Sequence, residues 1–129
     1  MLVLGDLETA VLEHLWSVGS ADVKGVHRAI GKARGITLNT VQSTMERLFR
    51  KKLLERDKVS HAYVYRPVVT REELSTRVIG EVAEQLAGGE PSVMLSAFVS
   101  VAEREGDDAL AQLEALIAER RNAQRGEDG

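Results

Sequence analysis

The sequence predicts a mainly α-helical fold with one small β-hairpin. Two observations support this class: helical spacing of apolar residues recurs from the N-terminal region to residue 50, and two short alternating apolar runs then flank a charged gap. Three helices and a hairpin within the first 67 residues have the order of a winged helix-turn-helix domain. The third helix would be its recognition helix and the hairpin its wing.

The first two helices are indicated by capping residues and glycines. Asp6 is the expected N-cap of a helix that extends to about Val18. Asp22 can cap a second helix, which either Gly31 or Gly35 closes. Their inward apolar positions are Leu7, Val11, Leu12, Leu15, Trp16, Val23, Val26 and Ile30. Trp16 continues this stripe, so we interpret it as a core residue.

The third helix has one apolar and one polar face. Thr37 is its expected N-cap. The inward positions are Leu38, Val41, Thr44 or Met45, and Leu48. Short hydrogen-bonding side chains on the outer face suit a major groove, where they can meet the edges of bases. The expected base-reading residues are Asn39, Thr40, Gln42, Ser43 and Arg47.

Basic residues continue from the end of this helix into the hairpin. The strands are expected at 54–58 and 62–67, with Tyr63 and Tyr65 on one face, and the sequence leaves the type of turn open. Contacts to DNA phosphates, or from the wing to DNA, are expected at Arg50, Lys51, Lys52, Arg56, Lys58 and His61. For any single hairpin charge, including Arg66, a solvated surface position is an equally good interpretation.

The charge distribution favours a polyanionic partner for one part of the chain only. The formal net charge is −3, yet residues 1–66 hold 11 Lys/Arg and 7 Asp/Glu, a net +4, and residues 67–129 hold 6 and 13, a net −7. From Val23 to Arg66 the same 11 bases face 3 acids, a net +8. The acidic half is therefore expected to lie away from DNA.

Three further helices are predicted after the hairpin. A capping box at Thr70 begins a helix that extends to about Ala87, and the break Gly88-Gly89-Glu90-Pro91 is a candidate hinge. Two more helices are expected at 92–102 and 107–121. We therefore divide the chain into a winged helix-turn-helix domain at 1–67, a dimerisation domain at 68–121 and a disordered tail at 122–129.

These three helices have too few residues for a separate core, and their apolar stripes are expected to pair with a second copy of the chain. The alternative is that they fold back onto their own winged helix. A homodimer would place two recognition helices about 34 Å apart, as a palindromic site requires. The expected dimerisation residues are Leu74, Val78, Leu95, Phe98, Leu110, Leu113, Leu116 and Ile117.

Several classes of function are disfavoured. No two of His14, His27 and His61 have a short metal-ligand spacing, and neither a nucleophile triad nor a phosphate-binding glycine loop is visible, so no enzyme, metal or cofactor is expected. The chain has no cysteine, which fits a cytoplasmic protein. It has no long apolar run, so neither a signal peptide nor a membrane span is expected.

Three blocks of sequence closely resemble the BlaI/MecI family of penicillinase and methicillin-resistance repressors. They are Gly5-Asp6-Leu7-Glu8 with Val11-Leu12 and Leu15-Trp16; Thr40-Val41 with Met45, Arg47-Leu48, Lys51 and Leu53-Leu54; and Tyr63 with Tyr65 and Pro67. The resemblance continues through the helix capped at Thr70 and the Gly88-Gly89 break, so it covers nearly the whole chain.

The resemblance implies a dimeric transcriptional repressor that binds a palindromic operator, as of β-lactam-responsive or other stress genes. It also implies relief of repression by proteolysis at an Asn-Phe bond in the dimerisation domain, downstream of a sensor-linked protease. The matching bond here is Ala97-Phe98, which keeps the phenylalanine but not the asparagine. A copper-sensing branch of the family uses cysteine pairs, which this chain lacks.

Carried over by match, the family's DNA-reading positions are the five base-reading residues given above. Thr40 and Arg47 keep the family's residue type, whereas Asn39 and Gln42 replace residues that are basic in the methicillin repressor. This difference implies another operator or weaker contact with phosphates. The alternative function is a winged helix that binds proteins without sequence-specific DNA binding, because the fold also has that use.

Overall fold

The computed structural model describes residue 2 and residues 4–128, and it divides into two compact units, Met1–Glu81 and Val82–Gly129. The helices are α1 (Asp6–Val18), α2 (Val23–Val26), α3 (Leu38–Arg50), α4 (Arg71–Ala87), α5 (Pro91–Glu105) and α6 (Asp107–Asp128). The strands are β1 (Ala21–Asp22), β2 (Leu54–Val59) and β3 (Ala62–Pro67). A π-helical turn at His27–Gly31 extends α2. The predicted class, mainly helical with a small β-hairpin, is confirmed.

The core of the first unit joins the inward faces of α1 and α3 to the hairpin. Burying a large apolar side chain stabilises a fold by about 1.5 to 3 kcal/mol, so this cluster accounts for much of the unit's stability. The stripe predicted for α3 is buried apart from Leu38, which is 37% exposed because it occupies the first position of the helix. The fully buried side chains are Val11, Leu12, Leu15, Val26, Val41, Thr44, Met45, Leu48, Leu53, Leu54 and Tyr65.

The sheet contains the predicted hairpin and one additional strand. Its order is β1-β3-β2 and all pairs are antiparallel. Val59 pairs with Ala62, so the hairpin turns at Ser60 and His61, and Ser60 has a φ of 59°. The sequence did not reveal β1, because two residues are too few to leave an alternating pattern.

Two of the three predicted helix caps are confirmed. The Thr37 side chain accepts a hydrogen bond from the Thr40 amide at 3.2 Å, and Thr70 accepts one from the Glu73 amide at 3.0 Å. The expected cap at Asp6 is wrong, because Gly5 is the N-cap of α1 and Asp6 is its first residue. Glu8 takes part there instead, since its carboxylate accepts a hydrogen bond from the Gly5 amide at 3.2 Å.

The first half of α4 packs on the winged helix. Leu74 is only 5% exposed and lies in the core of the first unit, and Val78 packs against that core. The position of Leu74 corrects its assignment to a dimer surface, since it has little area left for a partner. The first unit accordingly extends to Glu81, whereas the sequence placed the domain boundary after residue 67.

In the second unit, α5 and α6 pack on each other, and no side chain of residues 82–127 is fully buried. The helix α6 continues to Asp128, which corrects the expected disorder from residue 122; Gly129 lies outside the described residues. Arg, Ala and Gln at 120–125 are good helix formers, so the helix continues although its apolar stripe has ended. Within the described residues, no helix is both long and apolar enough to cross a membrane.

We expect Leu74→Ala to lower the free energy of unfolding of the first unit by about 2 to 4 kcal/mol, because it leaves a cavity in a packed core. Urea unfolding followed by circular dichroism measures this loss. Leu86→Ala is the matched control on the same helix, because Leu86 is 78% exposed and should change stability by less than about 0.5 kcal/mol. Equal stability of the two variants would contradict the placement of Leu74.

Candidate nucleic-acid interface

The outward face of α3 presents the residues that the sequence predicts to read bases. Asn39, Thr40, Gln42 and Ser43 are all exposed, while Val41 and Thr44 between them are fully buried. The Ser43 hydroxyl donates to the Asn39 carbonyl at 3.0 Å, and the Thr40 hydroxyl lies 3.0 Å from that of Thr37. The Asn39 and Gln42 amides, in contrast, make no hydrogen bond to any residue that the structure describes. These two amides are therefore the groups available to an external partner.

Arg47 lies one turn further along the same face. Its Nη2 donates to the Thr44 hydroxyl at 3.3 Å, and that hydroxyl donates to the Thr40 carbonyl at 2.8 Å. The hydrogen bond directs the guanidinium back toward the N-terminal half of α3. Arg47 is nevertheless exposed, so its remaining donors face solvent.

Lys51 is held inside the protein, although the sequence predicts a contact with phosphate. Its Nζ lies 2.7 Å from Glu8 Oε2, and the Glu8 side chain is only 11% exposed. Burial raises the pKa of Glu8, but the hydrogen bonds from Lys51 and from the Gly5 amide outweigh it, so the pKa lies below its ordinary value of 4.5. The pair thereby joins the start of α1 to the end of α3.

Arg50 and Lys52, the other two bases at this end, lie at the surface. Arg50 is 77% exposed at its side chain and approaches Glu46 at 3.8 Å, a separation that contributes little in water. Lys52 is exposed and has a φ of 65°, which turns the chain from α3 toward β2. Both positions remain open to a polyanion.

The wing is organised around Arg56. Its guanidinium carbon lies 4.0 Å from the ring centre of Phe49 and 4.1 Å from that of Tyr63, and its Nη1 donates to the Tyr65 hydroxyl at 3.2 Å. The two tyrosine rings share one face, as predicted, with centres 6.4 Å apart. This aromatic cage fixes β2 and β3 against the end of α3, so the side chain predicted to contact DNA has a structural role.

Arg66 is also engaged within the wing, where it forms ion pairs with Asp57 and, at 2.6 Å, with Glu55. Lys58 and His61 are exposed, near and at the turn of the hairpin respectively. The basic appearance of the wing in the sequence therefore overstates the charge that it can offer to a partner. Glu8, Phe49 and Tyr65 support the site, yet no local pattern marks them, because their partners are distant in the chain.

Comparison with known sequences identifies the family. Residues 4–119 match the sequence profile of the family described as penicillinase repressor, most of the chain's length. The chain belongs to the penicillinase repressor family. Two relatives from Mycobacterium tuberculosis, strains CDC 1551 / Oshkosh and ATCC 25618 / H37Rv, are both named Transcriptional regulator BlaI, and each is 39% identical to it over 118 residues. These residues are 90% of this chain and 83% of each relative.

Membership in this family makes the chain a transcriptional repressor and confirms the resemblance seen in its sequence. The solution structure of the DNA-binding domain of the repressor BlaI is similar, with a TM-score of 0.50 and 24% identity over 54% of this chain and 85% of that one. RosR of H. salinarum has a TM-score of 0.50 and 15% identity over 93% of this chain and 96% of its own. These likenesses concern the fold, and the first confirms the predicted winged helix.

The Glu8–Lys51 pair predicts how the stability of this repressor depends on pH. A carboxylate whose pKa is lowered by folding contributes stability above its unfolded pKa, and this is lost as the pH falls through the folded value. We expect wild-type stability to fall below about pH 4.5, and Glu8→Gln to flatten that fall and to cost about 1 kcal/mol at pH 7. Urea unfolding between pH 3 and pH 8 measures both effects.

Glu84→Gln is the control for this comparison, because Glu84 is an exposed carboxylate on α4. It should keep the wild-type dependence on pH. A Glu8→Gln profile that matches the wild type at every pH would show that the pair contributes nothing to folding.

Proposed function

We propose that this protein is a homodimeric repressor that binds a palindromic operator through α3, with the wing supporting it. The observation that carries the proposal is the exposed, unengaged pair of amides at Asn39 and Gln42 on a helix whose other side is buried in the core. An amide can bond two edge atoms of adenine at once, so a rigid helix that presents two amides suits base reading. The family supports the same role.

The second part of the proposal is dimerisation through α5 and α6. Leu95, Phe98, Leu116 and Ile117 are 57%, 38%, 50% and 50% exposed. Leu110 and Leu113 are half-buried, which leaves little apolar area enclosed within this unit. Exposed apolar side chains at this density are typical of a protein interface, and a second copy of the same unit would cover them on both chains.

The third part concerns regulation. We propose β-lactam-responsive or other stress genes as targets in the cytoplasm, with relief by a sensor-linked protease at Ala97-Phe98. This bond lies in the middle of α5, and both residues are exposed. A helix must open locally before a protease can bind it as an extended chain, so cleavage would depend on the local stability of α5.

Variants of Gln42 test the operator contact. On an operator selected from random duplexes, we expect Gln42→Ala to lose about 1 to 3 kcal/mol of binding free energy and to relax the preference at one base pair per half-site. Fluorescence anisotropy on the selected duplex and its point variants measures both quantities. Gln85→Ala is the matched control, because Gln85 is an exposed glutamine on α4. Equal binding by the two variants would remove Gln42 from the reading surface.

A charge on α6 tests the dimer. We expect Leu116→Asp to give monomers in light scattering, because it would bury a carboxylate without a partner in an apolar interface. Ala111→Asp places the same charge on the opposite side of the helix and should leave the dimer intact. A Leu116→Asp protein that remains folded and dimeric would place the interface on other residues.

A further inference from the structure

A second basic surface lies beside α3, formed by Lys24, Arg28, Lys32 and Arg34, which we call the α2 ridge. All four side chains are exposed. From Val23 to Met45 the sequence contains four other bases or acids in total, and they are these four bases with no acid among them before Arg47. No ion pair joins any of them to a residue in the described part of the chain. The ridge therefore carries a net +4 that nothing nearby in the sequence neutralises.

The ridge has a fixed position relative to the reading helix. Lys24, Arg28 and Lys32 recur every fourth residue, which places them along one side of the helical segment, while Val26 faces the core. Gly31 allows this segment to approach α3 closely, because a Cβ there would lie 2.6 Å from the His27 ring and 3.3 Å from Val41. The ridge is thus packed against the N-terminal half of α3.

The turn between the ridge and α3 is held by hydrogen bonds. The Ile36 amide donates to the Gly31 carbonyl at 2.9 Å, and the Gly35 amide donates to the Lys32 carbonyl at 3.1 Å. His27 Nε2 lies 2.9 Å from the Ile36 carbonyl oxygen. Lys32 and Arg34 therefore stand on a defined turn that ends at Thr37, the cap of α3, rather than on a loose loop.

The bases on the other side of α3 are engaged within the protein. Lys51 bonds to Glu8, Arg66 pairs with Glu55 and Asp57, and Arg56 lies in its aromatic cage. Using any of them for DNA would weaken a contact that holds the fold. Charge that is available without such a cost is concentrated on the α2 ridge.

We infer that the α2 ridge binds the phosphates of the DNA backbone beside the bases that α3 reads, and that it supplies more of the electrostatic affinity than the wing does. The inference rests on the proposed function. In helix-turn-helix proteins the helix before the recognition helix crosses the backbone, which is the place of the ridge here. Lysine and arginine at exposed, fixed positions neutralise phosphates and release counterions, which increases affinity for every sequence.

The test is the salt dependence of binding to a mixed-sequence duplex of about 30 base pairs, long enough to accommodate the bends and contacts of a typical site. For full-length Lys32→Gln/Arg34→Gln, we expect the log-log slope of affinity against salt to fall by about two units, since each phosphate contact contributes about 0.9. Affinity should fall for all duplexes alike, with the base preference of the selected operator unchanged.

Arg104→Gln/Arg125→Gln is the matched control, because it removes two exposed arginines from the second unit and changes the net charge equally. It should keep the wild-type slope. Arg56→Gln should also keep a slope within about half a unit of the wild type, far from the 0.9 of a lost phosphate contact. Circular dichroism establishes that each variant is folded before binding is compared.

Two outcomes would overturn the inference while leaving the proposed function in place. Wild-type protein might be expected to bind steeply in either case; a ridge variant with the wild-type slope, or an Arg56 variant that loses a full unit, assigns the phosphate contacts to the wing. A wild-type protein with no salt-dependent affinity for any duplex would instead contradict the proposed function itself.

Discussion

The burial of one side of α3 is the constraint on which the rest of this structure depends. Val41, Thr44, Met45 and Leu48 are fully buried, and their spacing of three or four residues leaves no rotational freedom to the helix. The outward direction of Asn39 and Gln42 follows from that packing rather than from any contact of their own. A reading surface without internal contacts can thus be rigid, as selective hydrogen bonding to bases requires.

Connections at both ends keep α3 in place. At its start, Thr37 caps the helix and the hydrogen-bonded turn after Gly31 joins it to α2. At its end, Lys51 bonds to Glu8 of α1, and Phe49 contributes to the cage around Arg56. Charged side chains here hold the protein together, and so a count of bases in the sequence does not measure the charge that DNA would meet.

The sequence predicted what depends on local spacing. The apolar stripes of α1 and α3, the caps at Thr37 and Thr70 and the paired faces of Tyr63 and Tyr65 each follow from residues less than a few turns apart. The face of α3 was predictable for the same reason. Leu74 shows the limit, because an amphipathic pattern indicates that a side is buried without indicating which surface buries it.

Contacts between distant residues were not predictable. Lys51 and Glu8 are 43 residues apart, and neither has a neighbour that marks the pair. Strand β1 exists only because β3 offers hydrogen bonds to two residues, and Arg56 is caged by rings from both α3 and β3. In each case the tertiary structure changes the role of a residue that looked like a surface charge or a loop.

The central claim is that α3 reads a specific palindrome in DNA. Sequencing the genomic fragments that the purified protein retains tests it most directly. The account predicts an enriched inverted repeat whose half-sites are centred about one helical turn, roughly 10 base pairs, or a multiple of this apart. Retained fragments with no common sequence would contradict it.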